Sequence, residues 1–353
     1  VTSHMTDSTQ IDAAQLRHLV AATFQAAGIS LAESDLIAES LVDANLCGHE
    51  SHGVVRVAEY LDLVQAGGLR GGVDLKVESE TPALIVGNGQ SGFGQIQMRN
   101  LIEALIPKAR VLGLACGTMK NCGHVGRLAE WCERLGQRGF ASFLTVNDNG
   151  VLKCVAPPGG TEPRISTNPV AMGAPADPEP LVVDISTSVV ANGKIRVAQI
   201  AGQPCPDGWL IDADGNPTSD PNDRFSDPPG SILPMGGYKG FSLGLLLDAL
   251  VGGLSGGECP PAPEGTFECN NVLLIVFDPR HFGGAEHFQR QVQDLTGFVR
   301  DSRRVVSDQP IRLPGDRASS LKKRRLTAGV PLDAGTWTQL CESAGCLGVA
   351  IPK

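Results

Sequence analysis

Ala83-Leu84-Ile85-Val86-Gly87-Asn88-Gly89-Gln90-Ser91-Gly92-Phe93 is the stretch on which the fold turns. A short apolar run leads into G-x-G-x-x-G and then into a helical pattern, the arrangement in which glycine amides and a helix N-terminus cradle a pyrophosphate. Such a loop needs an acid at the end of the next strand to hold a ribose, and Gly117-Thr118-Met119-Lys120-Asn121 supplies none. The glycines are therefore read as a turn, not as a Rossmann phosphate loop. A Walker loop is missing as well, because Lys239 is followed by Gly240 rather than by Ser or Thr.

Outward from this stretch the pattern alternates. Strands are expected at 83–86, 114–119 and 141–146, with helices at 93–111 and 125–138 between them, the rhythm of an α/β protein. Further strands are expected at 181–185 and 272–277, and a Pro/Gly/Asp-rich ordered loop over 203–236. Before the polar, extended 70–82 segment lie three helical stretches. One is opened by Asp12 with Gln15, one by Ser30 with Glu33, and the third runs from Val54 to Ala66. Helices return at about 285–299 and 336–344. The two chain ends are thus expected to pack as one helical domain, 6–70 completed by about 300–353. A cofactor-binding α/β domain is expected over 71–180 and 237–299, and a further lobe over 181–236.

Composition narrows the function. The 353 residues are 42% hydrophobic and 19% charged, a globular balance, and the net charge of −9 removes the broad attraction that nucleic acid or an anionic membrane would exert. Ten cysteines without a C-x-x-C pair read as reduced thiols of a cytoplasmic protein. Phe241 to Leu254 is too short for a membrane span and is expected to be a buried helix. Ser3-His4-Met5 resembles a cloning scar.

The chemistry-bearing residues form several groups. Ser51-His52-Gly53 precedes Arg56 and Tyr60, which share a helix face. The Arg56 guanidinium offers a planar fork for a carboxylate, and a nearby imidazole can protonate an oxygen. Arg56 in a surface ion pair at a solvated helix start is the plainer alternative. His124, in Cys122-Gly123-His124-Val125-Gly126, is expected at a helix N-terminus, where the dipole lowers basicity; a packing histidine is the alternative. Asp184 ends a hydrophobic strand, where it can orient a histidine or cap a turn. Tyr238 and Lys239 lie in a glycine-lined turn suited to ribose or phosphate. Cys47, His49 and His52, or Cys116, Cys122 and His124, match no zinc spacing, so no metal is expected. Lys322-Lys323-Arg324-Arg325 reads as a solvated face.

Taken in order, Ser51-His52-Gly53-Val54-Val55-Arg56, Asn121-Cys122-Gly123-His124-Val125-Gly126, Ser166-Thr167-Asn168-Pro169, Asp184-Ile185-Ser186-Thr187-Ser188, Pro234-Met235-Gly236-Gly237-Tyr238-Lys239-Gly240 and Pro314-Gly315-Asp316-Arg317 resemble the second malate/L-lactate dehydrogenase family. The resemblance runs over about residues 10–350. It implies a non-Rossmann, NAD- or NADP-dependent oxidoreductase with a mixed central sheet, working as a homodimer with active sites near the interface. It implies proton transfer by His52 or His124 with Asp184 assisting, and substrate contacts from Ser51, Arg56 and Tyr60. The implied cofactor contacts are Asp148, Asp184, Ile185, Ser186, Tyr238, Lys239, Pro314, Gly315 and Asp316. Asp148 stands where a small polar residue is usual, and Asp316 where Glu is common. The expected reaction is reversible hydride transfer between NAD(P)H and C2 of a small 2-oxo acid. A cyclic imine reductase of the same fold and a non-catalytic nucleotide-binding protein are the alternatives.

Overall fold

The computed structural model describes residues 8–352; Ser3-His4-Met5 and the first residues of the expected 6–70 unit lie outside them. The chain runs β1 (Ser8–Ile11), α1 (Ala13–Ala26), α2 (Leu31–Leu46), a 3-10 turn (Glu50–His52), α3 (Arg56–Gln65), β2 (Lys76–Glu80), β3 (Leu84–Asn88), α4 (Gly94–Leu112), β4 (Leu114–Cys122), α5 (Leu128–Gln137) and β5 (Ala141–Asn147). Then come β6 (Val170–Ala174), β7 (Leu181–Ile185), α6 (Asn192–Ile200), the short strands β8 (Leu210–Ile211), β9 (Pro217–Thr218) and β10 (Ser231–Ile232), and α7 (Tyr238–Ser255). Last are β11 (Asn270–Phe277), α8 (Ala285–Arg300), α9 (Asp316–Ala328), β12 (Val330–Asp333) and α10 (Ala334–Cys346).

Seven strands form one sheet in the order β2-β3-β4-β11-β5-β6-β7. Only β3 and β4 pair in parallel; the other five pairs are antiparallel. This mixed order is not the parallel, doubly wound sheet on which the glycine fingerprint works. Period-2 alternation sorts its two faces. Gly117 on β4 lies against Leu101 and Leu105 of α4, whereas its neighbour Thr118 bonds the carbonyl of Leu254 on α7. Helices α4 and α5 cover the first face, their Met98, Leu101, Leu105, Trp131 and Leu135 joining Leu144, Val272 and Leu274 in the main core. Helix α7 covers the second.

A second core unites the chain ends. β1 pairs with β12, and Leu16, Phe24, Leu41, Val57 and Tyr60 pack with Val330, Leu332 and Leu340, and also with Phe93 and Ile96 of α4. Asp12 caps α1 through the amides of Ala14 and Gln15, and Ser30 caps α2 through Glu33. A third, smaller core gathers Val155, Ile165, Ile195, Leu210 and Ile232 around the β10-β8-β9 sheet, which occupies the segment read from sequence as loop.

Several boundaries differ from the expectation. The 70–82 linker contains β2, an edge strand whose residues are all exposed and therefore carry no alternation. The third helix begins at Arg56, after the 3-10 turn, and the helix expected from 125 begins at Leu128. Phe241 to Leu254 is helical but not wholly buried, since Leu243, Leu245, Leu246, Leu250 and Leu254 are exposed. Among the described residues no helix is long and apolar enough to cross a membrane, no three His, Cys, Asp or Glu side chains are grouped to hold a metal, and all ten cysteines are free thiols.

Candidate active site

The first half of the site is a turn that only glycine permits. Asn45 Oδ1 on α2 accepts the amide of Val54 at 2.8 Å, and a Cβ on Gly53 would overlap that same side chain. The fold-back presents Ser51, whose Oγ lies 3.0 Å from His52 Nδ1, and starts α3 at Arg56. Arg56 Nε donates to the Ser51 carbonyl at 2.8 Å, and Nη1 pairs with Glu59 at 2.6 Å. The plain ion pair is thus present, yet it uses one edge of the fork. Nη2 has no partner among the described residues.

The second half rises from the sheet. His124 sits two residues beyond β4, four ahead of α5. Its backbone is pressed by Gly94, where a Cβ would overlap the carbonyls of Gly123 and His124, and it is followed by Val125, whose amide bonds Asn270 Oδ1 at 3.0 Å. The glycine loop braces the same strand end. The amides of Gly89 and Ser91 bond the carbonyls of Lys120 and Asn121, that of Gly92 bonds Gly89, and that of Gln90 bonds Asn88 Oδ1, so these four donors are already committed within the protein.

The two halves meet ring to ring. The imidazoles of His52 and His124 stack with centroids 5.3 Å apart and planes at 28°. Buried Tyr60 places its Oη 2.7 Å from His124 Nδ1 and accepts from Gln95 Nε2 at 3.1 Å. Burial, with the positive charge of Arg56 next, brings His52 down to about 3 and holds His124 well below the usual imidazole range. Both rings are neutral at physiological pH. The low basicity of His124 comes first from desolvation, then from Arg56 and His52; α5 itself begins four residues further on, at Leu128. Burial and then the Arg127 charge bring neighbouring His49 to about 4, with Lys194 and Arg317 contributing.

Around β7 the remaining residues converge in part. Asp184 Oδ2 accepts the amide of Ala129 at 2.8 Å, so it caps α5 and bonds neither histidine; burial raises its carboxyl. The turn before α7 leans on the end of β7: Met235 N bonds the Thr187 carbonyl at 2.9 Å, and a Cβ on Gly240 would overlap that oxygen. Tyr238 and Lys239 are exposed there, as is Ile185, and Ser186 Oγ bonds Ser188 O at 2.9 Å. Pro314-Gly315-Asp316 arrives from the far end of the chain, Gly315 lying against Val182 and Asp316 accepting from Leu313 N and Arg300. Gly193 at the start of α6 would carry its Cβ to 3.2 Å from that of Ser51, which joins this surface to the histidine side. Asp148 stands apart from β7, just beyond β5. Gln95, Lys194 and Glu268 are not singled out by the sequence: Gln95 lies just after the glycine loop, but nothing local marks the other two.

Fold and site together define the class, an α/β oxidoreductase. Residues 11–341 match the malate/L-lactate dehydrogenase family. Hydroxycarboxylate dehydrogenase B of Escherichia coli (strain K12) is 33% identical over 347 residues, covering 96% of this chain and 95% of that protein. The solved malate dehydrogenase of Pyrococcus horikoshii OT3 is similar with a TM-score of 0.88 at 27% identity, covering 99% of each chain. The delta1-piperideine-2-carboxylate reductase of Pseudomonas syringae pvar. tomato gives 0.81 at 31% identity, covering 95% of this chain and 99% of that one. The chain belongs to the malate/L-lactate dehydrogenase family, which implies a nicotinamide cofactor.

Proposed function

We propose that the protein interconverts a small 2-oxo acid and its 2-hydroxy acid with NAD or NADP, and that one arrangement carries the reading: the stacked neutral histidines beside Arg56, whose Nη2 has no partner among the described residues. The cofactor fits the residues present. Asn192 Oδ1 is buried without a partner at the start of α6, the turn at Tyr238 and Lys239 is glycine-lined, and no salt bridge engages Lys194, Lys239 or Arg317 among the described residues. Asp184, Ile185, Ser186, Pro314, Gly315 and Asp316 would complete its contacts at β7, and Asp148 would reach it from β5. When bound, the nicotinamide exchanges a hydride with C2.

The chain supplies the rest. Arg56 Nη2 binds the substrate carboxylate, with Ser51 beside it. That anion offsets the Arg56 charge, the second cause after burial of the low basicity of His124, so substrate binding raises the ring's affinity for a proton in part. Tyr60 Oη has two acceptors for its single proton, His124 Nδ1 at 2.7 Å and the His124 carbonyl at 3.4 Å. With the proton turned to the carbonyl, Nδ1–H donates to Tyr60 and Nε2 is bare, the form that takes the hydroxyl proton during oxidation. The protonated ring returns it during reduction. His52 is placed to orient His124 by stacking, and Asp184 to position the α5 end of the site.

Initial rates with NADH and NADPH over pyruvate, oxaloacetate, branched 2-oxo acids and cyclic imines test the reading. His124→Asn should lower kcat by about a hundred to ten thousand fold and remove one limb of the pH–rate profile, with His52→Asn losing less. An unchanged profile in His124→Asn would reassign the proton. The imine alternative is supported by the similarity to the Pseudomonas reductase, and the same panel separates it.

A further inference from the structure

Asp148 is the oddity of the site. It is 8% exposed, and neither carboxylate oxygen has a well-formed hydrogen bond, only the amides of Leu152 and of Asp148 itself acting weakly on it. Its neighbours are the opposite. Asn147 Nδ2 bonds Asp248 at 2.7 Å and the Glu258 carbonyl at 2.9 Å, while Asn149 bonds Phe267, Glu258 and Asn271. The backbone is thus fixed on both sides of a side chain left unsatisfied. A buried carboxylate so poorly supplied with donors is costly and calls for an explanation.

The place is the same end of the sheet as His124. Asn270 at the start of β11 accepts from Val125 N with its Oδ1 and donates to the Asn147 carbonyl with its Nδ2, so one side chain ties together the strand ends that carry His124 and Asp148. Glu268, two residues earlier, links the regions electrostatically: its charge acts on Asp148, and those of Glu59 and Arg56 act on it. Arg56 and the acids Asp148 and Glu268 are thus carried at one end of the sheet, near enough for their charges to act on one another through Glu268.

We propose that Asp148, with Glu268 at the rim, forms a side-group subsite that excludes a second anion, restricting turnover to substrates whose only negative charge is the carboxylate held by Arg56. The side group is uncharged or cationic. The proposal rests on the dehydrogenase reading and deepens it. Burial first, then Glu268 and Asp248, push the Asp148 carboxyl up to about 7, with the amides of Leu152 and Asp148 itself pulling weakly the other way. The other groups facing it, Cys154 and Cys269, are thiols pushed up to about 12 and about 11, and stay neutral. Below neutrality a protonated Asp148 donates a hydrogen bond and tolerates an anion; above it the carboxylate repels one.

The test compares kcat/KM for monoanions (pyruvate, 2-oxobutanoate) and dianions (oxaloacetate, sulfopyruvate) from pH 6 to 8, in wild type, Asp148→Asn and Asp148→Ser, with NADH and NADPH binding followed by calorimetry. In wild type the dianion-to-monoanion ratio should fall as pH rises through about 7; in Asp148→Asn it should be flat and, at pH 8, about tenfold higher or more. Equal use of both substrate classes by wild type at pH 8 would overturn the proposal alone. So would a variant that loses cofactor affinity with its ratio unchanged, which would make Asp148 a cofactor contact only. Absence of NAD(P)H-dependent turnover of any 2-oxo acid or imine would instead overturn the underlying reading, and the subsite with it.

Discussion

One phenolic proton governs His124. Tyr60 is buried, and burial raises its hydroxyl well above the usual range, so it keeps its proton, with two acceptors of His124 in reach. Tyr60→Phe keeps the ring but leaves Gln95 Nε2 and His124 Nδ1 facing nothing. We expect kcat to fall about tenfold or more with a shifted pH profile, and KM to change less, in steady-state kinetics. Arg56→Met should cost about 2–5 kcal/mol in kcat/KM on a carboxylate substrate and converge with wild type on the corresponding amide. His52 links the site to stability. Below about 6.5 the unfolded chain binds a proton that folded His52, held near 3, refuses, so the stabilisation is complete above 6.5 and is lost as pH falls toward 3. Melting curves of His52→Asn should therefore lose less Tm between pH 7 and pH 5 than those of wild type.

At the scale of elements, the site depends on close approaches that side chains would prevent. Gly94→Ala opens α4 with a methyl group inside the His124 carbonyl, so the His124 backbone must move; a stability loss of about 1–3 kcal/mol and a marked fall in kcat are expected. Gly345→Ala in α10, with nothing within 4 Å, should instead gain about 0.5–1 kcal/mol in chemical denaturation. The pattern of apolar residues made β3, α4, β4, α5 and β5 legible, because each buries one face. It failed where there is no apolar face to read, as in the strongly polar α9, or where a strand is four residues and contains Pro331, as in β12. The site shows the same division. His52, Arg56, Tyr60 and His124 are legible by type, while Glu268 and the bond from Asp184 to Ala129 exist only because distant segments meet. The G-x-G-x-x-G loop was legible as a turn, through its missing acidic partner.

At the scale of the molecule, an unusual amount of apolar surface is uncovered. Leu243, Leu246, Leu250 and Leu254 form a stripe along α7, Leu246 at 58% exposure, and α8 buries none of its residues while exposing Leu295 and Phe298. The homodimer that the family resemblance implies would cover the α7 stripe. Leu246→Glu should shift the mass measured by light scattering at micromolar concentration from dimer to monomer. The helical core is joined to the sheet by ions, Arg127 bridging Asp43 on α2 and Glu133 on α5, and Arg134 reaching Glu39.

The pairing of β1 with β12 sets the order in which a nascent chain can become an enzyme. Translation delivers Ser51, His52 and Arg56 first, yet the hydrophobic seat of their helices is completed by Val330, Leu332 and Leu340, which leave the ribosome long afterwards. The sheet with His124 can form while synthesis continues. The proposed site closes only when β12 docks, so polypeptides cut short before residue 330 should accumulate a folded sheet without a working site.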